Sequence, residues 1–359
     1  MAKICVFCGK KPESKNKEHV LPQWLIKHTG DPNREVKFGF DWRNEGKPRV
    51  FSYKSFTFPA CKSCNDSFSK FEASTKPVIL KILSHEAITA DELHLLLNWF
   101  DKVRVGIWLG FYYLDKNLGS INPKFHIASR IGTQDRMLSI SRIDGNRGEL
   151  TFRGCDMPAF YYTPSCFSMV IDNFCFFNIS TPFLFSRRIG LPYPIKSYFR
   201  EDGLVDCLMT VGRERIMLPL IRKPFLFNGT QIYQPMFTFQ SKIEQYESLY
   251  STDYVYNMCS NAQDGIGKVF IEKNSSLMEY PNEPLSLWLP TITNDREKMN
   301  PDVSISTLEL QLFIDTLISS YENLPKKDQK WYKDMLKSNK TFAKKMIKIL
   351  KDNAKKMNL

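Results

Sequence analysis

The sequence predicts an α+β fold, and three observations predict it. Two Cys-x-x-Cys pairs, Cys5/Cys8 and Cys61/Cys64, bracket a short N-terminal segment. Apolar residues at helical spacing follow, and residues 124–290 then break into short runs of branched and aromatic residues separated by turn residues. The C-terminal end returns to helical spacing and is rich in lysine. These features divide the chain into an N-terminal module (1–75), a helical connector (76–117), a predominantly β accessory domain (118–300) and lysine-rich helices (301–359). A chain of 359 residues is long enough for two or three domains, each with its own core.

The elements follow in order. Pro22 biases Leu21 toward extended backbone, so Glu18 and His19 are expected at a strand end. Residues 23–28 fit a short helix closed by Gly30. Alternation over 36–40 and 49–53, with a polar turn at 43–48, predicts a β-hairpin. Residues 65–72 read as a helix opened by the second cysteine pair, and the period changes at Pro77. Val78, Ile79, Ile82 and Leu83 suggest the next helix. Thr89 with Glu92 three residues on is a capping-box signal for another, reaching about Leu114 and completing a helical hairpin. Strands are expected over 125–129, 137–143, 149–152, 167–171 and 174–179, with a hairpin turn at Asp144-Gly145-Asn146. Prolines throughout 192–290 argue against long helices there. At the end, Ser306 caps a helix over 308–321, Pro325 starts one over 326–337, and 340–357 forms an amphipathic third.

Composition narrows the class. A hydrophobic fraction of 43% and an aromatic fraction of 13% fit a globular protein. No run of 18 apolar residues suits a membrane-spanning helix, and the first residues lack a secretory apolar core. The five cysteines outside the two pairs (Cys155, Cys166, Cys175, Cys207, Cys259) show no spacing pattern, so buried free thiols in a reducing cytoplasm are expected rather than a disulfide framework. The net charge of +12 is uneven. Residues 1–75 carry 14 Lys/Arg against 8 Asp/Glu, and residues 324–359 carry 12 Lys against 3 Asp. That is +6 and +9, leaving −3 for the middle. Two basic ends suit a polyanion, against the plainer reading of solvated lysines.

The cysteine pairs carry the first chemistry. Four thiolates as two Cys-x-x-Cys knuckles give closed tetrahedral coordination, which fits a structural zinc at Cys5, Cys8, Cys61 and Cys64. The plainer reading is two unrelated thiol pairs. A redox role fits less well, because no βαβ pattern surrounds either pair. Inside the bracket lies Glu18-His19, and Asn65 directly follows the last cysteine.

Cys-x-x-Cys, an acid–His dipeptide followed by an apolar residue and proline, then Cys-x-x-Cys-Asn, resembles the HNH endonuclease family over about residues 5–72. The resemblance implies a ββα-metal, treble-clef-like module stapled by zinc, with His19 as general base. Glu18 and Asn65 would then be ligands of a catalytic Mg²⁺ or Mn²⁺. Glu72, seven residues from Asn65 on the same helix face, is either an outer carboxylate of that metal or a structural salt bridge. Asp66 and the histidines His28, His85, His94 and His126 are expected to be solvated or structural, with a phosphate contact conceivable at His28. Two departures stand out: Glu in place of the commoner Asp, and no counterpart of the asparagine that braces the histidine loop.

These residue types suit hydrolysis of a phosphodiester, where water must lose a proton and charge on the phosphate must be offset. The expected function is thus a metal-dependent endonuclease, DNA being the favoured substrate, with a non-catalytic zinc module that binds nucleic acid or protein as the rival. Residues 76–359 are expected to target or restrain the nuclease, through a ligand, a regulatory protein or a homodimer. The family context extends this to anti-phage defence.

Overall fold

The structure is a computed structural model that describes residues 4–14, 16–41, 47–114, 117, 121–143, 148–155, 160–161, 163–182, 184, 194–199, 205–209, 229–237, 257–273, 276–289, 291, 305, 308–309, 312 and 326–356. Helix and strand are mixed, with a four-cysteine cluster near the N-terminus and a sheet-rich middle. No described helix is long and apolar enough to cross a membrane.

The N-terminal part begins with β1 (Asn16–His19), which pairs antiparallel with β4 (Thr57–Ala60), Glu18 opposite Phe58 and His19 opposite Thr57. Between them lie α1 (Gln23–His28) and the hairpin β2 (Glu35–Asp41) and β3 (Lys47–Ser52), as the alternation predicts. Residues 42–46, within the expected turn, are outside the described residues. Phe38, Phe56 and Phe58 pack beneath these strands and are almost fully buried.

Helix α2 (Lys62–Leu83) corrects the expected break at Pro77: one helix of 22 residues runs straight through the proline. Pro77 removes one backbone donor, but Val78, Ile79 and Ile82 bury their side chains beyond it, and that burial outweighs the local preference. The expected module boundary after residue 75 therefore falls inside a helix.

Helix α3 (Ala90–Tyr113) opens with the expected capping box, Thr89 accepting from the Glu92 backbone and Glu92 from that of Thr89. Unlike a surface helix it is buried nearly all round, Trp99, Phe100, Val103, Ile107, Trp108 and Phe111 included. Gly106 explains how closely the module approaches it: a Cβ there would stand 2.5 Å from a methyl of Val20.

The sheet comprises β5 (Arg136–Arg142), β6 (Leu150–Arg153), β7 (Cys166–Ile171), β8 (Phe174–Ser180), β11 (Thr230–Gln234), β14 (Phe270–Lys273) and β15 (Ser276–Glu279). Its seven strands run in the order β15-β14-β11-β5-β8-β7-β6, every pair antiparallel. Among the described residues four short strand pairs stand apart: β1–β4, the β2–β3 hairpin, β9 (Pro194–Phe199) with β10 (Val205–Met209), and β12 (Cys259–Asn261) with β13 (Ile266–Gly267). Four of the five unpatterned cysteines, Cys155, Cys166, Cys175 and Cys259, are buried. Edge strand β6 receives the N-terminal part, with the Phe152 ring edge-on to Phe38 and Phe56.

Two further corrections concern local structure. The strand expected over 125–129 is a 3₁₀ turn at Ile127–Ser129, whose Ile127 and Ala128 amides donate to the Val6 and Phe7 carbonyls. The two helices expected after residue 325 are one continuous α4 (Lys326–Lys356). The Asp144–Asn146 turn, Ser306 and Pro325 lie outside the described residues, as does most of 308–321.

Candidate active site and metal centre

The first knuckle is closed by its own backbone: the Gly9 amide donates to the Cys5 carbonyl at 2.9 Å and the Cys5 amide to the Lys10 carbonyl at 2.7 Å. Gly9 sits at φ +73° with the His126 ring against it, so a Cβ would meet His126 Nδ1 at 2.5 Å. The second pair lies at the start of α2, and β1–β4 pairing holds the two together. All four Sγ atoms fall within 4.8 Å of one another. A tetrahedral zinc with Zn–S bonds of about 2.3 Å sets its sulfurs roughly 3.8 Å apart. Cys8 Sγ and Cys61 Sγ are 3.8 Å apart, and the Cys61 amide points at Cys5 Sγ from 3.3 Å. Burial, then the neighbouring thiols, pushes Cys61 up to about 11 and Cys64 up to about 12. Four sulfurs this close can hold a metal such as zinc, which would keep them as thiolates.

Next to it the structure assembles a second polar cluster from three elements. Glu18 is buried at the end of β1, Glu72 points in from α2, and Lys102 reaches both from α3. The Lys102 side chain is completely buried, and its ammonium is surrounded by oxygen. Nζ stands 3.4 Å from Glu18 Oε1, 3.3 Å from the His19 carbonyl and 3.1 Å from that of Val20, and it also bonds Glu72 Oε1. Burial raises the Glu18 carboxyl to about 7, with Lys102 pulling it down and Glu72 pushing it up. Glu72 is likewise raised, by burial against the opposing pull of Lys102.

Two groups of this region have no such partners. His19 Nδ1 and Asn65 Oδ1 are both buried without a hydrogen bond. Buried polar atoms are nearly always satisfied, so two orphaned acceptors within one expected site call for a ligand, an ion or a water. Asn65 is in the first turn of α2, its amide bonded to the Cys61 carbonyl at 2.9 Å. Burial, then the Lys102 charge, lowers the His19 pKa from its usual 6.5. That shift favours the uncharged imidazole.

Lys102 is the residue that sequence reasoning missed. Its signal was present: Asp101, Lys102 and Arg104 are three charges in an otherwise apolar helical stretch. By donating to the His19 and Val20 carbonyls Lys102 holds the strand end that carries the histidine. Glu72 takes the salt-bridge role, and Asp66 is exposed.

The remaining histidines serve packing. His28 Nε2 meets Asp172 at 3.0 Å, His94 bonds Gln234 and Asn98, the His85 ring is tilted against Phe174, and His126 covers the first knuckle with its Nε2 buried and unpartnered. No protein-family model, curated protein or solved structure matches the chain.

Proposed function

We propose that this protein is a metal-dependent endonuclease of the HNH type, with DNA as its preferred substrate. The observation that carries the reading is His19 Nδ1, buried without a partner directly after the buried carboxylate of Glu18, together with Asn65 Oδ1, likewise unpartnered in the first turn of α2. Most buried polar groups in a fold are satisfied, whereas a site that must receive water, metal and phosphate keeps acceptors open.

Zinc at Cys5, Cys8, Cys61 and Cys64 has a full coordination shell and serves to fix β1 against α2. A divalent ion would be held by Glu18 and Asn65, while Glu72 stays paired with Lys102. Glu18 Oε1 is taken by Lys102, but among the described residues no hydrogen bond engages its Oε2, so an oxygen remains to offer. Carboxylate and amide oxygens are hard donors that suit Mg²⁺ or Mn²⁺, and the ion would offset charge on the phosphate. The protein's own part is proton transfer and placement. His19, in its uncharged form, accepts the proton of a water attacking phosphorus in line with the leaving oxygen. Lys102 fixes the backbone on both sides of that step and adds a positive charge that no metal loss removes.

A second reading, a non-catalytic zinc module, draws on the same Lys102 contacts, which would make Glu18 and Glu72 purely structural. It leaves His19 Nδ1 and Asn65 Oδ1 without a purpose. The experiment is incubation of the purified chain with supercoiled plasmid and with single-stranded RNA, in Mg²⁺, in Mn²⁺ and in chelator. Metal-dependent conversion of plasmid to nicked circles is expected. Intact plasmid and RNA in every condition would favour the second reading.

A further inference from the structure

We propose that the exposed face of α4 is a docking ridge for nucleic-acid phosphate backbone, bound without reading sequence. The proposal takes its choice of polyanion from the nuclease reading, but it stands on the geometry of this helix. Lys326, Lys330, Lys333, Lys337, Lys340, Lys344, Lys348, Lys351 and Lys355 follow one another at steps of three or four residues, and all nine are exposed. At 100° per residue they fall within an arc of about 80°. At 1.5 Å per residue they form a line about 44 Å long, with one ammonium every 5.4 Å or so. Asp334 and Asp352 each follow a ridge lysine and so turn about 100° away from it. Among the described residues none forms an ion pair with any of the nine. A helix built only to pack would alternate its exposed charges, because lysines three and four apart repel one another. This one keeps the same sign over its full length.

The opposite face decides between polyanions. Ala343 and Asn339 are buried, and Phe342, Met346, Ile347 and Leu350 pack on the hydrophobic core. A basic amphipathic helix enters a lipid interface by its apolar face, and here that face is engaged. What the ridge presents outward is lysine, with Ile349 exposed at its flank. A straight ridge of about 44 Å matches the length of roughly 13 base pairs, and ammonium groups on flexible stems meet phosphates as point charges with no base contact.

The test measures binding of a fluorescent 30-base-pair duplex, and of a single strand of that length, in chelator so that nothing is cut. Salt is titrated for the wild type, for K337Q/K340Q/K344Q/K348Q, and for K11Q/K37Q/K54Q/K124Q. Each variant lowers the net charge from +12 to +8, by 12 − 4. Circular dichroism confirms that the helix is retained. On duplex, the ridge variant should flatten the slope of log K against log salt by about 3 to 4, at roughly 0.9 for each phosphate no longer neutralised. The control variant, three of whose lysines belong to the other basic end, should flatten it by less than the ridge variant does. Equal slopes in the two variants would overturn the ridge. So would ridge-dependent binding to anionic phosphatidylserine vesicles without binding to either nucleic acid. The nuclease reading is scored separately, on cleavage with metal restored. Ridge-dependent binding without cleavage sinks that reading alone, and cleavage with ridge-independent binding sinks this proposal alone.

Discussion

Two adjacent residues of α3 sit at the centres of two buried charge clusters, and the clusters are built differently. Asp101 faces the sheet. Its carboxylate accepts from Arg104 at 2.6 Å, from Arg136 at 2.9 Å and from the Gly132 amide at 3.0 Å. Arg136 also donates to Asn98 and Gln234, and Arg104 to Asn178 and the Pro164 carbonyl. Burial alone would raise the Asp101 pKa, but the two guanidinium groups outweigh it and hold the carboxyl below its usual value. Lys102 faces the N-terminal module. There Glu18 is raised to about 7, and His19 and Asn65 carry unsatisfied acceptors. The first cluster is closed and ties helix to sheet. The second is left open at the place where chemistry is proposed. Buried charge serves structure when every group is matched, and it suits function when some are left waiting.

The largest effect should come from breaking the closed cluster. Asp101→Asn strands two arginines that cannot discharge by losing a proton, and should cost about 3–5 kcal/mol in urea unfolding. The pH dependence follows from the sign of the shift. The folded-state pKa of Asp101 lies below the unfolded one, so its contribution is complete above about pH 4 and is lost as pH falls through the folded value. Unfolding midpoints of the wild type should therefore drop more steeply than those of Asp101→Asn between about pH 4 and pH 2.

Lys102→Met should cost less, about 1–3 kcal/mol, because Glu18 and Glu72 can take up protons once their cation is gone. Its signature is in activity: plasmid nicking should fall roughly 10–100-fold, as when a residue supporting a metal site is removed. Lys102→Arg, which keeps the charge, should recover part of both. Loss of stability with unchanged nicking would reduce Lys102 to a structural tie and make the two clusters alike. The smallest effect sets the baseline. Thr89→Ala removes the N-cap of α3 but touches neither cluster, so thermal unfolding should show a loss of about 1 kcal/mol with no change in nicking.

Much of the N-terminal half was legible in the sequence because its signals are local. Cysteine spacing, the Thr89–Glu92 cap and the alternation over β2 and β3 are set by near neighbours. Pro77 and the two-helix reading of the C-terminus failed for one reason: burial of Val78, Ile79 and Ile82, and of Ala343 on α4, overrides weak local breakers. Strand order in the sheet was beyond reach, since β5 pairs β11 across more than 90 residues. In the candidate site, Glu18 and His19 stood out by their place between the cysteine pairs, and Asn65 by directly following the last cysteine. Lys102 did not, because only the fold brings it from 83 residues away to the His19 carbonyl.

The central claim is that His19 performs the proton transfer. It is tested most directly by the initial rate of plasmid nicking in Mg²⁺ or Mn²⁺, wild type against His19→Ala, with both proteins shown folded by their thermal transitions. A drop of roughly 10²–10⁴-fold is predicted, the range a positioned general base contributes. Equal rates in the two proteins would contradict the assignment.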